Sequence, residues 1–253
     1  MSGYRVLSEV YDRLMEVDYA ARADYLLSLF RRHGGKYGTL LDLCCGSGSL
    51  TVELMRRGCD MVAVDGSEEM LAQAADKTAA AGLSPLLLCQ DMRELDLYGT
   101  VDGAVCTLDS FNHLLKTADI AETLRRLSLF IEPGGLLVFD VNTPYKHREV
   151  LRDNAFVYEQ PGLLCSWRNR WIPRTCEVQM LLDIFLERED GLYERLEDEV
   201  RERAYSEHTW RQLLKNAQFT PLAVYGDMTA DAPGKTEERW VFVARNDTTN
   251  YSN

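Results

Sequence analysis

The chain has 253 residues, 46% hydrophobic and 27% charged, which suits one globular core with an appendage and excludes a disordered chain or a coiled coil. Its net charge of −12 disfavours a non-specific grip on nucleic acid, and no apolar run reaches the ~18–20 residues of a membrane span. Seven cysteines, with Cys44 and Cys45 adjacent, do not form a secreted disulfide framework, and the start has no signal-peptide pattern, so a cytoplasmic protein with reduced thiols is expected.

Along the chain, residues 19–33 place Tyr25, Leu26, Leu29 and Phe30 at helical spacing before the Gly34-Gly35 stop. Short apolar runs then alternate with helical patterns, the mark of βαβ units and a parallel sheet. Strands are expected at 39–43, 61–64, 86–89, 103–107 and 136–141, with helices at 49–57, 67–81 and 118–131. Ser67 caps the second of these helices, and Pro133-Gly134-Gly135 turns the chain back after the third.

After about residue 150 the extended stretches lengthen, at 163–172, 176–188 and 192–205, with a hairpin turn at Glu189-Asp190-Gly191. They predict an antiparallel sheet of about three strands. A helix at 207–217 and strands near 219–226 and 238–245 rejoin the main sheet, and the polar tail from Asn246 is expected to fray. The fold class is therefore α/β: a Rossmann-like, doubly wound, mostly parallel seven-stranded sheet with a small antiparallel β insert. Residues 1–149 and 206–246 form the core domain, and residues 150–205 form the insert.

The informative motif is Asp42-Leu43-Cys44-Cys45-Gly46-Ser47-Gly48, where a strand enters a glycine-containing turn and then a helix whose free N–H groups face a ligand. A second strand ends in Asp65, 17 residues after Gly48, where an acid can accept ribose hydroxyls. A dinucleotide site requires a third small residue in the turn, and Thr51 stands there instead. Asp42, just before the turn, also suits an amine or hydroxyl better than a pyrophosphate. With no CxxC and no histidine cluster, no metal is expected.

Five stretches in order over residues 40–142 resemble the motifs of the class I S-adenosylmethionine-dependent methyltransferases. They are the Asp42–Gly48 turn, Asp65–Met70, Cys89-Gln90-Asp91-Met92, Val101–Cys106, and Pro133-Gly134-Gly135 with Phe139-Asp140. The N-terminal Tyr4…Tyr11-Asp12-Arg13-Leu14-Met15 is similar to a bacterial methyltransferase group of unknown substrate and, more distantly, to nucleotide-amino-sugar N,N-dimethyltransferases. Cys44 departs from the Gly or Ala that many members carry. The resemblance implies S-adenosyl-L-methionine as cofactor and S-adenosyl-L-homocysteine as product. It further implies that Asp65 holds the ribose, Asp91 the adenine amino group with Met92 beside the ring, Gly46 and Gly48 the methionyl end with Asp42 near its ammonium, and Tyr11 the region of the transferring methyl.

Because the sulfonium already activates the methyl, no nucleophilic triad is required, and none is seen. Acceptor-side candidates follow the fourth strand: Asp109 to orient an amine and His113 as a base, with Asp140 and Asn142 similarly placed. Trp167 and Trp171 share one face of the insert, as core or as substrate wall. The N-terminal segment is expected to close on the cofactor, and the insert to shape the acceptor pocket. The expected partner is a small-molecule acceptor at N or O. Methylation of RNA or protein, or nucleotide-cofactor binding without turnover, stay open, as does the oligomeric state.

Overall fold

The computed structural model describes residues 10–14 and 17–249. Tyr4 and Met15 of the N-terminal motif lie outside the described residues. In chain order the main elements are α1 (Tyr11–Leu14), α2 (Tyr19–Arg32), β1 (Thr39–Leu43), α3 (Ser49–Arg56), β2 (Asp60–Asp65), α4 (Glu68–Ala80), β3 (Leu86–Cys89) and β4 (Val101–Cys106). Then come α5 (Thr117–Phe130), β5 (Ile131–Asn142), β6 (Ala155–Gln160), β7 (Leu163–Ile172), β8 (Glu177–Glu187), β9 (Tyr193–Arg203), α6 (Glu207–Asn216), β10 (Phe219–Gly226) and β11 (Arg239–Asn246).

The main sheet has seven strands in the order β10-β11-β5-β4-β1-β2-β3, parallel except where β11 pairs with β5 and β10. Both faces are buried, so the strands read as apolar runs rather than an alternation with polar residues. Leu40, Leu136 and Val138 face α2 and α3, where Leu26, Leu29, Phe30, Leu50 and Leu54 pack. Leu41, Leu137 and Phe139 face the other side, with Ile120, Leu124 and Leu127 of α5 and Trp210 of α6. On that side Phe111 packs edge-on to Phe139 at 5.0 Å and to Trp210 at 5.7 Å between ring centroids. Phe111 thereby anchors the short turn Ser110–His113 that follows β4. Ser67 caps α4 as expected, accepting the Met70 N–H at 3.2 Å.

The second sheet has four antiparallel strands, β6-β7-β8-β9, where the sequence predicts about three. The additional strand, β6, is an edge with mostly exposed side chains, so it carries no apolar alternation to reveal it. The tail expectation also needs correction. Asn246 is fully buried at the end of β11, and its Nδ2 donates to the carbonyls of Ser128 at 3.0 Å and Ile131 at 2.6 Å.

The two covers that the sequence assigns to separate duties share one apolar cluster. Val10 and Leu14 pack with Leu163, Cys165, Met180 and Leu182 of the second sheet. Polar bonds join them too, because Arg13 donates to the Pro161 carbonyl at 2.6 Å and Gln160 to the Arg13 carbonyl at 2.6 Å. Trp167 and Trp171 pack against the same cluster. Among the described residues, no helix is long and apolar enough to cross a membrane.

Candidate active site

A cleft enclosing about 910 Å³, open to solvent, lies beyond the carboxyl ends of β1, β2 and β4, where open α/β sheets hold ligands. Asp42 lies at its floor, 2% exposed, and its Oδ2 accepts the Thr51 hydroxyl at 2.6 Å. Burial pushes its carboxyl up to about 6; the Thr51 bond opposes this and nearby Asp65 adds to it. Asp65 ends β2 with Oδ2 accepting the Gly46 N–H and Oδ1 the Ser67 N–H, both at 2.9 Å. Burial raises its carboxyl as well, against these backbone bonds.

The turn after β1 is left-handed at Cys44 (φ 62°), Gly46 (φ 54°) and Gly48 (φ 77°). That conformation explains why glycine suits the Cys44 position, since a side chain there is strained. A Cβ added at Gly46 meets no atom within 4 Å, so open space stands beside this cleft-lining residue. At Gly48 it would stand 2.8 Å from the Ala74 Cβ, so Gly48 lets α3 approach α4 and is not part of the cleft lining.

Asp91 also stays out of the lining. It caps the turn Met92–Glu94, and Arg93 holds it with two bonds, Nε to Oδ1 at 2.9 Å and Nη2 to Oδ2 at 2.5 Å. The Arg93 bond keeps its carboxyl below the ordinary range despite partial burial. Met92 and Met70 do line the cleft. The donor set suits a nucleoside with an amino-acid tail. Asp65 keeps lone pairs for ribose hydroxyls, Gly46 leaves room, Asp42 can face an ammonium, and Met92 offers an apolar wall.

A second cavity adjoins the first and shares Tyr11, Leu108 and His113 with it. Its far wall comes from the second sheet, with Trp167, Met180, Leu182, Val200 and Glu202, and Asp109 and Arg239 complete its polar side. Tyr11 is partly buried, and the loss of solvent around its hydroxyl raises its phenol far above the ordinary value, with Tyr19 and Asp109 adding to the effect. It therefore acts as an O–H donor, not as a phenolate base. Burial likewise pushes Tyr19 up to about 12.

The loop carrying Asp109 and His113 is strained, since Leu108 (φ 55°) and Asp109 (φ 57°) are successive left-handed residues without glycine. Asp140 holds it, accepting the Leu108 N–H at 2.9 Å and the Asp109 N–H at 2.7 Å. Arg239 ties this loop to β11, donating from Nη2 to Asp109 Oδ1 at 2.5 Å and from Nη1 to Asp140. Burial alone would raise Asp109, but Arg239, then Lys146, outweigh it and hold its carboxyl well below the usual range. His113 Nδ1 lies 3.3 Å from the Arg201 carbonyl, which can only accept, so this bond places hydrogen on Nδ1.

One ligand atom each of Asp109, His113 and Glu202 lie within 4.8 Å of one another. Although these residue types can hold a metal, the Arg239 guanidinium already sets a cation against Asp109.

Three residues of these sites escape the sequence reading. Arg239 opens β11, Lys77 lies on α4, and Glu202 sits inside the charged run 197–203. The alternation of β9 offers a signal for Glu202, because Val200 and Glu202 share the inward register and an acid at an inward position requires a reason. Lys77 bonds Asp12 at 2.5 Å, Ser47 at 2.8 Å and Ser49 at 2.5 Å, fastening α1 over the rim of the first cleft.

A family model described as a methyltransferase domain matches residues 40–135. A protein of Geobacillus sp. (strain WCH70) named as a methyltransferase is 32% identical over 246 residues, spanning 96% of this chain and 99% of its own length. The crystal structure of a S-adenosylmethionine-dependent methyltransferase from Clostridium acetobutylicum ATCC 824 has a TM-score of 0.87 at 31% identity, covering 96% of this chain and 98% of that one. A dTDP-3-amino-3,6-dideoxy-alpha-D-glucopyranose N,N-dimethyltransferase of Streptomyces fradiae is 29% identical over 137 residues, 53% of this chain and 52% of its own.

Proposed function

This chain belongs to the class I S-adenosylmethionine-dependent methyltransferases, and from that premise we propose that it methylates a nitrogen of a small molecule seated in the second cavity. The observation that carries this reading is the sharing of Tyr11, Leu108 and His113 by the two cavities. A methyl donor held in the first cavity would face an acceptor in the second past these residues. The relative that acts on an amino sugar supports nitrogen as the receiving atom.

S-adenosyl-L-methionine is the cofactor, and when bound it supplies a methyl group activated by a sulfonium. What the chain adds is alignment, worth up to ~7–11 kcal/mol of barrier, and control of water and protons. Asp65 would hold the ribose hydroxyls and Asp42 the methionyl ammonium. Tyr11, locked as a donor, orients groups at the junction. His113, which both cavities share, would act as the base that takes the proton the acceptor nitrogen must lose before it reacts. Residues 150–205, docked on α1, form the acceptor side and help exclude water.

A methyl-transfer screen with radiolabelled cofactor tests this reading. Small amines should be labelled, and labelling should drop at least 10-fold in His113→Ala while S-adenosylhomocysteine binding persists. Labelling of RNA or protein in place of every small amine would overturn it.

A further inference from the structure

The second cavity encloses about 610 Å³, open to solvent, a size that takes a small ligand. Its two sides differ in what they leave available. On the polar side Arg239 bonds Asp109, and a hydrogen bond joins Asp109 to Glu202, so these groups already engage one another. The opposite side is an apolar surface built by the second sheet. Side chains on one face of that sheet meet across strands, so Trp167 on β7 stands beside Leu182 on β8, and Met180 on β8 beside Val200 on β9.

Trp167 is the largest group on that surface, and it is held in one orientation. Its Nε1 donates to Asn169 Oδ1 at 2.8 Å. Asn169 is fixed in turn, 8% exposed, with Nδ2 donating to the Leu151 carbonyl at 3.3 Å and its backbone N–H to the Asn154 carbonyl at 2.9 Å. The Tyr158 ring packs against the indole at 6.1 Å between centroids. Trp171 packs on the same apolar cluster but is not part of the cavity lining, so of the two tryptophans Trp167 is the one presented to a ligand. An indole whose N–H is already bonded and whose rotation is restrained offers its π surface at little entropic cost.

We propose that Trp167 selects the acceptor by stacking, and that the favoured acceptor is an amine carried on a short arm by a planar aromatic ring. This rests on the reading that the second cavity seats the acceptor. The ring lies against Trp167 and its apolar neighbours, and the arm carries the nitrogen towards Tyr11 and His113, the residues shared with the cofactor cleft. Trp167 is then a specificity-determining residue, and Asn169 positions it.

Calorimetry on the full chain saturated with S-adenosylhomocysteine tests the proposal with benzylamine and cyclohexylmethylamine, which carry the same charge and arm on a flat and a puckered ring. Burial alone favours the puckered ring, which has more apolar surface, so the quantity read is the affinity ratio of flat over puckered and its change on mutation. Trp167→Leu keeps an apolar side chain but removes the π surface, and it should lower that ratio roughly 2–10-fold, the worth of one aromatic pair. Trp167→Phe should keep most of the wild-type ratio. Unaltered S-adenosylhomocysteine affinity establishes that each variant folds; should Trp167→Leu lose that affinity, Asn169→Ala decides, because it unties the indole and should lower the ratio about 2-fold. A ratio unchanged in the deciding variant, or lost as fully in Trp167→Phe as in Trp167→Leu, overturns the proposal and leaves the methyl-transfer reading standing. Binding of neither amine overturns it together with the seat of the acceptor. Failure of S-adenosylhomocysteine to bind the wild type counts against the cofactor premise and removes both readings together.

Discussion

Thr51 donates its hydroxyl to Asp42 across 2.6 Å beneath the cofactor cleft, tying the first turn of α3 to the end of β1. The threonine that spoils a dinucleotide fingerprint is therefore the partner of the carboxylate proposed to face the cofactor. Its bond favours the ionised acid, but burial prevails and leaves the group titrating near neutrality at about 6.

A pH dependence follows with a definite sign. In the ligand-free protein the raised value means that the folded state holds the proton more tightly than the unfolded one, so this group's contribution to stability falls as pH rises towards about 6. An ammonium beside Asp42 favours the carboxylate, so S-adenosylhomocysteine should bind tighter as pH rises through about 6 and level off above it. Calorimetry between pH 5 and 8 should show this rise in wild type and a flat profile in Asp42→Asn. A flat wild-type profile would show that Asp42 does not face the cofactor's ammonium.

Asp65→Ala removes an acceptor of two backbone bonds as well as the proposed ribose clamp. Binding of S-adenosylhomocysteine should weaken by roughly 1.5–3 kcal/mol, the range for hydrogen bonds to a charged group. NAD should raise the melting temperature of neither protein. Unchanged affinity in a folded variant would remove Asp65 from the site.

Lys77 and Asp12 close α1 over the cleft through a partly exposed ion pair, with side chains 30% and 39% accessible. Solvent screens such a pair, so Asp12→Ala should cost only ~0.5–1 kcal/mol, or about 2–5-fold in the residence time of S-adenosylhomocysteine. Because α1 and the second sheet share an apolar cluster, the cofactor should slow hydrogen exchange in residues 10–14 and in β7 and β8 together. Protection of one without the other would mean that they move as separate covers.

Arg239→Met strands Asp109 and Asp140, both largely buried, without their shared cation. Breaking a buried pair this way should cost about 3–5 kcal/mol. Burial opposes ionisation of Asp109, and Arg239 is the main effect holding its carboxyl below the ordinary value. The stabilisation is therefore complete above the ordinary carboxylate range and is lost as pH falls through the lower folded value. Thermal unfolding should show the gap between wild type and variant narrowing in acid; a gap that widens there would contradict the assignment.

The strands and helices of the main sheet are legible in the sequence because burial on both faces writes apolar runs, and the Ser67 cap and the glycines mark where they end. The cofactor end is legible for a related reason. Asp42, Gly46 and Asp65 belong to the carboxyl ends of two adjacent parallel strands linked by the single α3 crossover, so a short stretch of chain carries all three. Gly48 and Asp91 have the expected spacing, yet one packs against Ala74 and the other bonds Arg93. Spacing brings a residue to a loop but does not aim its side chain. In the proposed acceptor side the sequence points to Asp109 and His113 but not to their partners, because its parts converge from afar. His113 answers to the Arg201 carbonyl, Asp109 to Arg239, and Glu202 to Asn142 and His147. Only closure of β11 against β5, and of the second sheet against α1, brings those charges together. Which groups each carboxylate meets is thus a property of tertiary packing, where burial and distance set the cost of each charge.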